Sequence, residues 1–345
     1  MFKDFLSNSP AVRQPRSRFI FWVSILLAVI LLYFALRGLD WPAFFISLER
    51  ANYLYVALLL IWSSATYFLR SLRWRILLIT HKKIPPLNVF WANMAGYLGN
   101  TVFPARAGEF IRAAYIARKE TIPVVFVLAT GITERLIDLA ALVIIGAASL
   151  FFVDAFPKSV QSALERFAIA AVIGVMFIFL LPLFHGLAAR IINILPFLGK
   201  STKSGLYQIL QHFFQGLKAI ANIQQGLLFL FFTLLIWFMD GLGMAWIALS
   251  LHKSLSLAQS LLFISALGIS SAIPSTPGYV GIYQFVAVTV LMPFGFEREA
   301  ALALILITQA LNLLVVSFWG GPGVWIGSRG VLVTQTKKPD GELHD

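Results

Sequence analysis

Cysteine is absent from all 345 residues, and charge is scarce. Without a thiol there is no disulfide, no thiolate nucleophile and no cysteine-based metal site. The five histidines (His81, His185, His212, His252, His344) are scattered without ligand spacing, so no metal and no cofactor is predicted. Only 12% of residues are charged, against about 25% in soluble domains. What fills the chain instead is apolar: 59% hydrophobic, with a mean hydropathy of +0.84. The apolar runs are long and lack the alternation of barrel strands. They predict an all-α polytopic membrane protein, with 1–345 as one integral membrane domain. The net charge of +12 does not predict a nucleic-acid partner. The basic residues cluster beside spans, as the positive-inside rule expects of cytoplasmic segments.

Six full spans are predicted: Phe19–Leu36, Tyr53–Thr80, Val124–Val153, Phe167–Leu187, Gly226–Leu251 and Ala300–Ile326. Lys3, Arg13, Arg16 and Arg18 place the segment 1–18 inside, as the flank of a retained signal-anchor. Arg73, Arg75, Lys82 and Lys83 are read as the cytoplasmic end of the second span. Arg329, Lys337 and Lys338 place the C-terminus inside as well, with 330–345 a disordered tail. Lys200–Gln225 is polar, with Leu206, Ile209, Leu210, Phe213, Leu217 and Ile220 at helical spacing. The pattern fits an interfacial amphipathic helix, and equally a linker helix facing water.

Two segments break the apolar pattern. Leu87–Arg118 is interrupted at Asn100–Gly108 around Pro104, and Leu257–Pro293 is interrupted at Ser270–Gly278 around Pro274 and Pro277. Each is predicted to be a re-entrant hairpin, because arms this short do not cross a ~30 Å core. Their surroundings match. L-L-I-W precedes each (Leu59–Trp62, Leu234–Trp237), then Trp74 and Trp246, then His81-Lys82 and His252-Lys253. Thr133-Glu134 and Thr308-Gln309 follow. These matches predict an internal repeat, 53–153 and 226–327. Three crossings separate equivalent points, so the halves are inverted. Broken helices at matching places of inverted halves point to a substrate site near the midplane.

The candidate substrate-binding residues lie at these breaks. Arg106 precedes Gly108, the expected start of a helix whose N–H groups and dipole attract anions. Glu109 and Arg112 share a face, and so do Glu134, Arg135 and Asp138. Two acids and one base in that second group leave a negative charge for Arg106 or Arg112 to balance. Substrate contact and a self-neutralising ion network both explain these charges. Asp240 reads as a lone intramembrane acid, open to a proton site or a helix cap. In the second break Ser275, Thr276 and Gly278 make a neutral polar tip, with Gln284 beyond it. A plain kink for helix packing also fits.

P-A-R-A-G-E-x-x-R, E-R-x-x-D and P-S-T-P-G-x-x-G, in this order and spacing, resemble the flippase-like membrane domain family. That family includes the transmembrane part of lysylphosphatidylglycerol synthase, the multiple peptide resistance factor. The resemblance covers roughly residues 15–330. Where the family usually has Glu, this chain has Gln284. No counterpart of the synthase's soluble aminoacyl-transferase domain is seen in these residues. The resemblance implies movement of a phospholipid, or of an aminoacyl or polyprenyl lipid head group, between leaflets of a bacterial or archaeal cytoplasmic membrane. Two other readings stand beside it. One is a membrane-embedded lipid-modifying enzyme with Glu134 or Asp138 as base and Arg106 on the phosphate. The other is a non-transporting partner of a separate lipid synthase or glycosyltransferase.

Overall fold

A computed structural model describes residues 29–103, 106–153, 200–272 and 276–335, with Leu26 and isolated positions between 166 and 186. Pro104, Pro274, Ser275, the segment 1–18, most of Phe167–Leu187 and residues 336–345 lie outside the described residues.

The described chain is helical, without a strand. The helices are α1 (Val29–Leu36), α2 (Trp41–Glu49), α3 (Tyr53–Leu78), α4 (Pro86–Val102), α5 (Gly108–Glu120), α6 (Val124–Leu150), α7 (Lys200–Ala221), α8 (Ile223–Ser250), α9 (Leu257–Ser270), α10 (Ile282–Leu291) and α11 (Arg298–Gln335). Their ends follow local chemistry. The Asp40 carboxylate accepts the Ala43 N–H at the start of α2, and Asn52 and Asn222 cap α3 and α8 in the same way. Ser256 and Gln259 form a capping box on α9. Thr121, in the left-handed region, ends α5 before Pro123 opens α6.

Four runs are long and apolar enough to cross a membrane: Tyr53–Leu78, Ile223–Ser250, Pro277–Phe294 and Arg298–Gly327. The pair α1 and α2, bent by 88°, makes up to five. The sequence had not separated α2 from its neighbours. Helix α6 is 27 residues long but carries three charges, Glu134, Arg135 and Asp138. α11 runs on through Pro322 to Gln335, so residues 330–335 are helical rather than part of a tail.

Helix α3 packs along α8, α11 along α4, and α9 along α6. The larger core surrounds the first turns of α11, where Ala301, Leu302, Ala303, Leu304 and Ile305 are all buried. A helix apolar all round is an interior helix. α7 lies on α6, α8 and α3 with Phe214 buried, so part of its apolar face is already covered.

Helices α4 and α5 fold back on each other as a hairpin. At the open end the Asn88 amide donates to Glu120 at 2.7 Å; at the tip the Gly108 N–H donates to the Asn100 side chain at 2.8 Å. Small residues permit this closeness. A Cβ on Gly108 would sit 1.8 Å from the Gly96 carbonyl oxygen. The break is narrower than Asn100–Gly108, because α4 continues to Val102. The second break holds a 3-10 turn, Pro277–Tyr279, and α10 begins only after Gly281. α9 and α10 pack on one another across it.

Candidate functional site

Charge inside this bundle is arranged as an alternating chain. Arg135 contacts Glu109; Glu109 contacts Arg112 at 2.6 Å; Arg112 contacts Glu134 at 2.9 Å; Glu134 contacts Arg73 at 2.8 Å; Arg73 contacts Asp138 at 2.5 Å. Two helices, α3 and α6, and one hairpin arm, α5, supply the six groups. Asp138 takes Arg73 with both oxygens, the second at 2.9 Å, a fork that only a guanidinium fills. Asn93 accepts from Arg112 at 2.9 Å, Thr233 meets Arg73 at 3.2 Å, and Trp74 lies under the Arg112 guanidinium at 4.5 Å. Each partner replaces hydration that the charges lose on burial. A separate pair, Arg70 and Asp240, sits beside the chain with Arg70 stacked 5.0 Å over Trp237.

Two sequence expectations are corrected here. Arg73 is not an exposed flanking cation but the most enclosed cation of the network, 1% exposed. Asp240 is not alone, since Arg70 pairs with it. Arg70 and Arg73 fall three apart on α3, which was the available signal: a helical face of charge within an apolar run. In the sequence Arg73 reads with Arg75, Lys82 and Lys83 as one basic flank, which hides its shared face with Arg70. The charge left over by Glu134 and Asp138 is balanced by Arg73 and Arg112, not by Arg106.

The N-terminus of α5 is not an open anion cradle either. The Gly108 N–H is held by Asn100, the Glu109 N–H by the Arg106 carbonyl, and the Phe110 and Ile111 N–H groups by the Ala107 carbonyl. Any anion binding here therefore falls to side chains. Arg106, with φ of 55°, turns its guanidinium across to the second break. It donates to the Ser271 carbonyl at 2.5 Å and hydroxyl at 2.7 Å, and lies 6.0 Å over the Tyr279 ring. Ser271 caps the C-terminal end of α9, where a cation is favoured. Tyr279, φ 59°, is the left-handed residue on the opposing side and stacks on Tyr283 at 4.8 Å.

A cavity of about 370 Å³ lies between α5, α6 and the end of α9. Arg106, Glu109, Arg112, Arg135 and Asp138 line one part of it, and Glu134 stands behind them. The rest of its lining is mostly apolar, and Phe110, Ile132 and Leu136 within it are exposed. Of the predicted neutral tip, Thr276 and Gly278 do not line this cavity. The Thr276 hydroxyl donates to the Val280 carbonyl, and the Gly278 carbonyl accepts from Gln309. Gln284 is buried, accepts the Gly281 N–H at 2.7 Å, and donates to Gln309 at 2.6 Å. Pro277 opens the 3-10 turn.

The lysylphosphatidylglycerol synthase TM region family matches residues 21–320. A UPF0104 membrane protein of Methanocaldococcus jannaschii is 26% identical over 251 residues, covering 71% of this chain and 99% of that relative. No solved structure matches. The family match takes in α1 to α10 and most of α11, with every charged residue of the network inside it. This chain is therefore a polytopic membrane protein belonging to the lysylphosphatidylglycerol synthase TM region family.

Proposed function

We propose that the chain moves a phospholipid, or a lipid-linked anionic head group, between the leaflets of a bacterial or archaeal cytoplasmic membrane. The cavity carries the proposal. Its charged end and its mostly apolar, partly exposed lining match a molecule with a polar head and hydrocarbon tails. A charge at the bilayer centre costs roughly 2.5–3.5 kcal/mol even on the mildest scale. A path lined by Arg106, Arg135 and Glu109 lowers that cost for the head while the tails stay in lipid.

In this reading the two breaks are re-entrant hairpins of an inverted repeat among six full spans, with both termini cytoplasmic. At 1.5 Å per residue the 17 residues of α4 and 13 of α5 extend about 26 and 20 Å, short of a ~30 Å core. The matched spacing of Glu109 with Glu134 and Gln284 with Gln309 supports duplication. The first hairpin then opens to the cytoplasm, and Arg106 takes the lipid phosphate by releasing Ser271. Purified protein in liposomes, with fluorescent lipids and an outer-leaflet quencher, tests this. Arg106→Ala should abolish lipid movement at unchanged insertion and thermal stability. Arg106→Lys should keep part of it, because the charge survives and the fork does not. Wild-type rates with Arg106→Ala at equal protein density would remove Arg106 from the pathway.

A further inference from the structure

The charge balance around the cavity goes further than transport: it selects among lipids. We propose that the head group this site takes is an anionic phosphodiester with no compensating ammonium, in preference to its aminoacylated, cationic derivative. The inference rests on the lipid-transport reading for why a lipid enters at all.

An ammonium needs a carboxylate. Among the described residues, every acid at the cavity or beside it already holds an arginine: Glu109 holds Arg112 and Arg135, Glu134 holds Arg73 and Arg112, Asp138 holds Arg73, and Asp240 holds Arg70. To receive a lysyl or similar cation, Glu134, Asp138 or Asp240 would have to release an enclosed guanidinium, which is strongly unfavourable; Glu109 could let go of the partly exposed Arg135, but only by leaving that cation beside the incoming one. Arg106 is different. Its partners in the described structure are neutral, the Ser271 carbonyl and hydroxyl, and exchanging them for a phosphate strands no charge. The groups lining the cavity carry three cations (Arg106, Arg112, Arg135) against two anions (Glu109, Asp138). That imbalance attracts one negative charge and repels a positive one.

A second observation points to the same ligand. Trp237 lines the cavity and is 8% exposed, and its indole N–H has no acceptor among the described residues. A buried donor without an acceptor is costly, and an indole N–H can only donate. The nitrogen is enclosed in this arrangement, and a phosphate or ester oxygen of a seated lipid is an acceptor that the indole meets by turning toward the cavity. Arg70 stacks on the ring and pairs with Asp240.

Native mass spectrometry of the full chain in phosphatidylcholine nanodiscs tests the selection. The probes are phosphatidylglycerol, lysyl-phosphatidylglycerol and inorganic phosphate. Phosphatidylglycerol should be retained at least about tenfold over the lysyl lipid, equivalent to about 1.4 kcal/mol. Arg106→Gln should bring that ratio close to one, while Arg106→Lys keeps most of it. Trp237→Phe should weaken phosphatidylglycerol several-fold and leave the lysyl lipid unchanged. Equal or tighter retention of the lysyl lipid overturns the proposal. Inorganic phosphate binding as well as the lipid overturns the lipid part. Lipid movement, measured separately by quenching, divides the two claims. Selective binding without movement sinks transport and leaves selection standing; movement without preference does the reverse.

Discussion

Glu109 and Glu134 stand as far apart in sequence as Gln284 and Gln309, which are 25 positions apart. Between the two acids sits Arg112, reaching one at 2.6 Å and the other at 2.9 Å. The residue at the matching place of the second pair is Ala287, and the two amides bond directly at 2.6 Å. An acid offers only acceptors when ionised, so two buried acids need a cation between them. An amide offers both donor and acceptor, so a pair closes on itself. Neutrality also releases the surroundings. The charged pair draws in Arg73, Asp138, Arg135, Asn93 and Trp74, whereas the amide pair is completed by the Gly281 N–H and the Gly278 carbonyl. The charged pair is thus the centre of a polar cluster, whereas the amide pair stands beside the apolar core at the start of α11.

The largest test of that contrast is Arg73→Ala. It strands Asp138 in an enclosed position and leaves Glu134 with Arg112 alone, and breaking a buried pair in this way costs about 3–5 kcal/mol. A thermal melt in detergent should show a loss far greater than for any single change at the amide pair. Adding Asp138→Asn and Glu134→Gln should recover part of it, because the orphaned charges go with the arginine. A cost below about 1 kcal/mol would place Arg73 in contact with water and end the comparison.

Arg73 also marks where the sequence could be read and where it could not. The long apolar runs, both breaks and the clustered charges of α5 and α6 were legible, because an apolar chain leaves few explanations for a Pro/Gly break or an ionised group. Partner choice was not. It depends on which faces of α3, α5, α6 and α8 meet, and a local window assigns Arg73 to a basic flank because Arg75, Lys82 and Lys83 follow it. Gly108 was misread for a related reason. A helix start predicts free N–H groups, but Asn100, eight residues earlier, returns through the hairpin to take one. Only the hairpin's closeness brings it there.

That closeness separates the two breaks, and one methyl group probes it in each. Gly108→Ala places a carbon 1.8 Å from the Gly96 carbonyl, so the arms must part; overpacking of this kind costs about 1–3 kcal/mol. Gly278→Ala meets open space, and only its φ of 69° resists, at roughly 1–2 kcal/mol. Gly108→Ala should also expose the hairpin to hydrogen exchange between Gly96 and Arg112, and Gly278→Ala should leave that stretch unchanged. Similar exchange in both would show that the hairpin does not depend on contact between its arms.

Gln284→Glu asks whether the neutral pair tolerates an acid in place of one amide. The new carboxylate loses the donor that Gln309 accepts, and Ala287 provides no cation. An unsatisfied buried polar group costs about 1–3 kcal/mol, more when charged. Stability should fall by that amount near neutral pH. Ala287→Arg in the same protein should restore part of it by copying the Arg112 arrangement. If Gln284→Glu alone is neutral, a cation reaches this site by another route.

The smallest effect belongs to an ion pair apart from both the charged network and the amide pair. Lys253 and Glu297 meet at the surface, where the Glu297 side chain is 63% exposed. The hydrogen bond from Lys253 holds the Glu297 carboxyl below its ordinary range. A lowered folded-state value means that the pair stabilises above the ordinary carboxylate pKa of about 4.3, and that this contribution is lost as pH falls through the lowered value. Screening keeps it small: exposed pairs are worth about 0.2–1 kcal/mol, and salt reduces them further. Lys253→Ala should therefore shift the melt by little more than its error at neutral pH in physiological salt, and not at all below the carboxylate range. Its geometry, a close ammonium on a carboxylate, resembles that of the buried network; its energy should not. A Lys253→Ala loss approaching that of Arg73→Ala would show that ion-pair contact alone sets the cost, and that burial, on which the contrast between the charged network and the amide pair depends, does not.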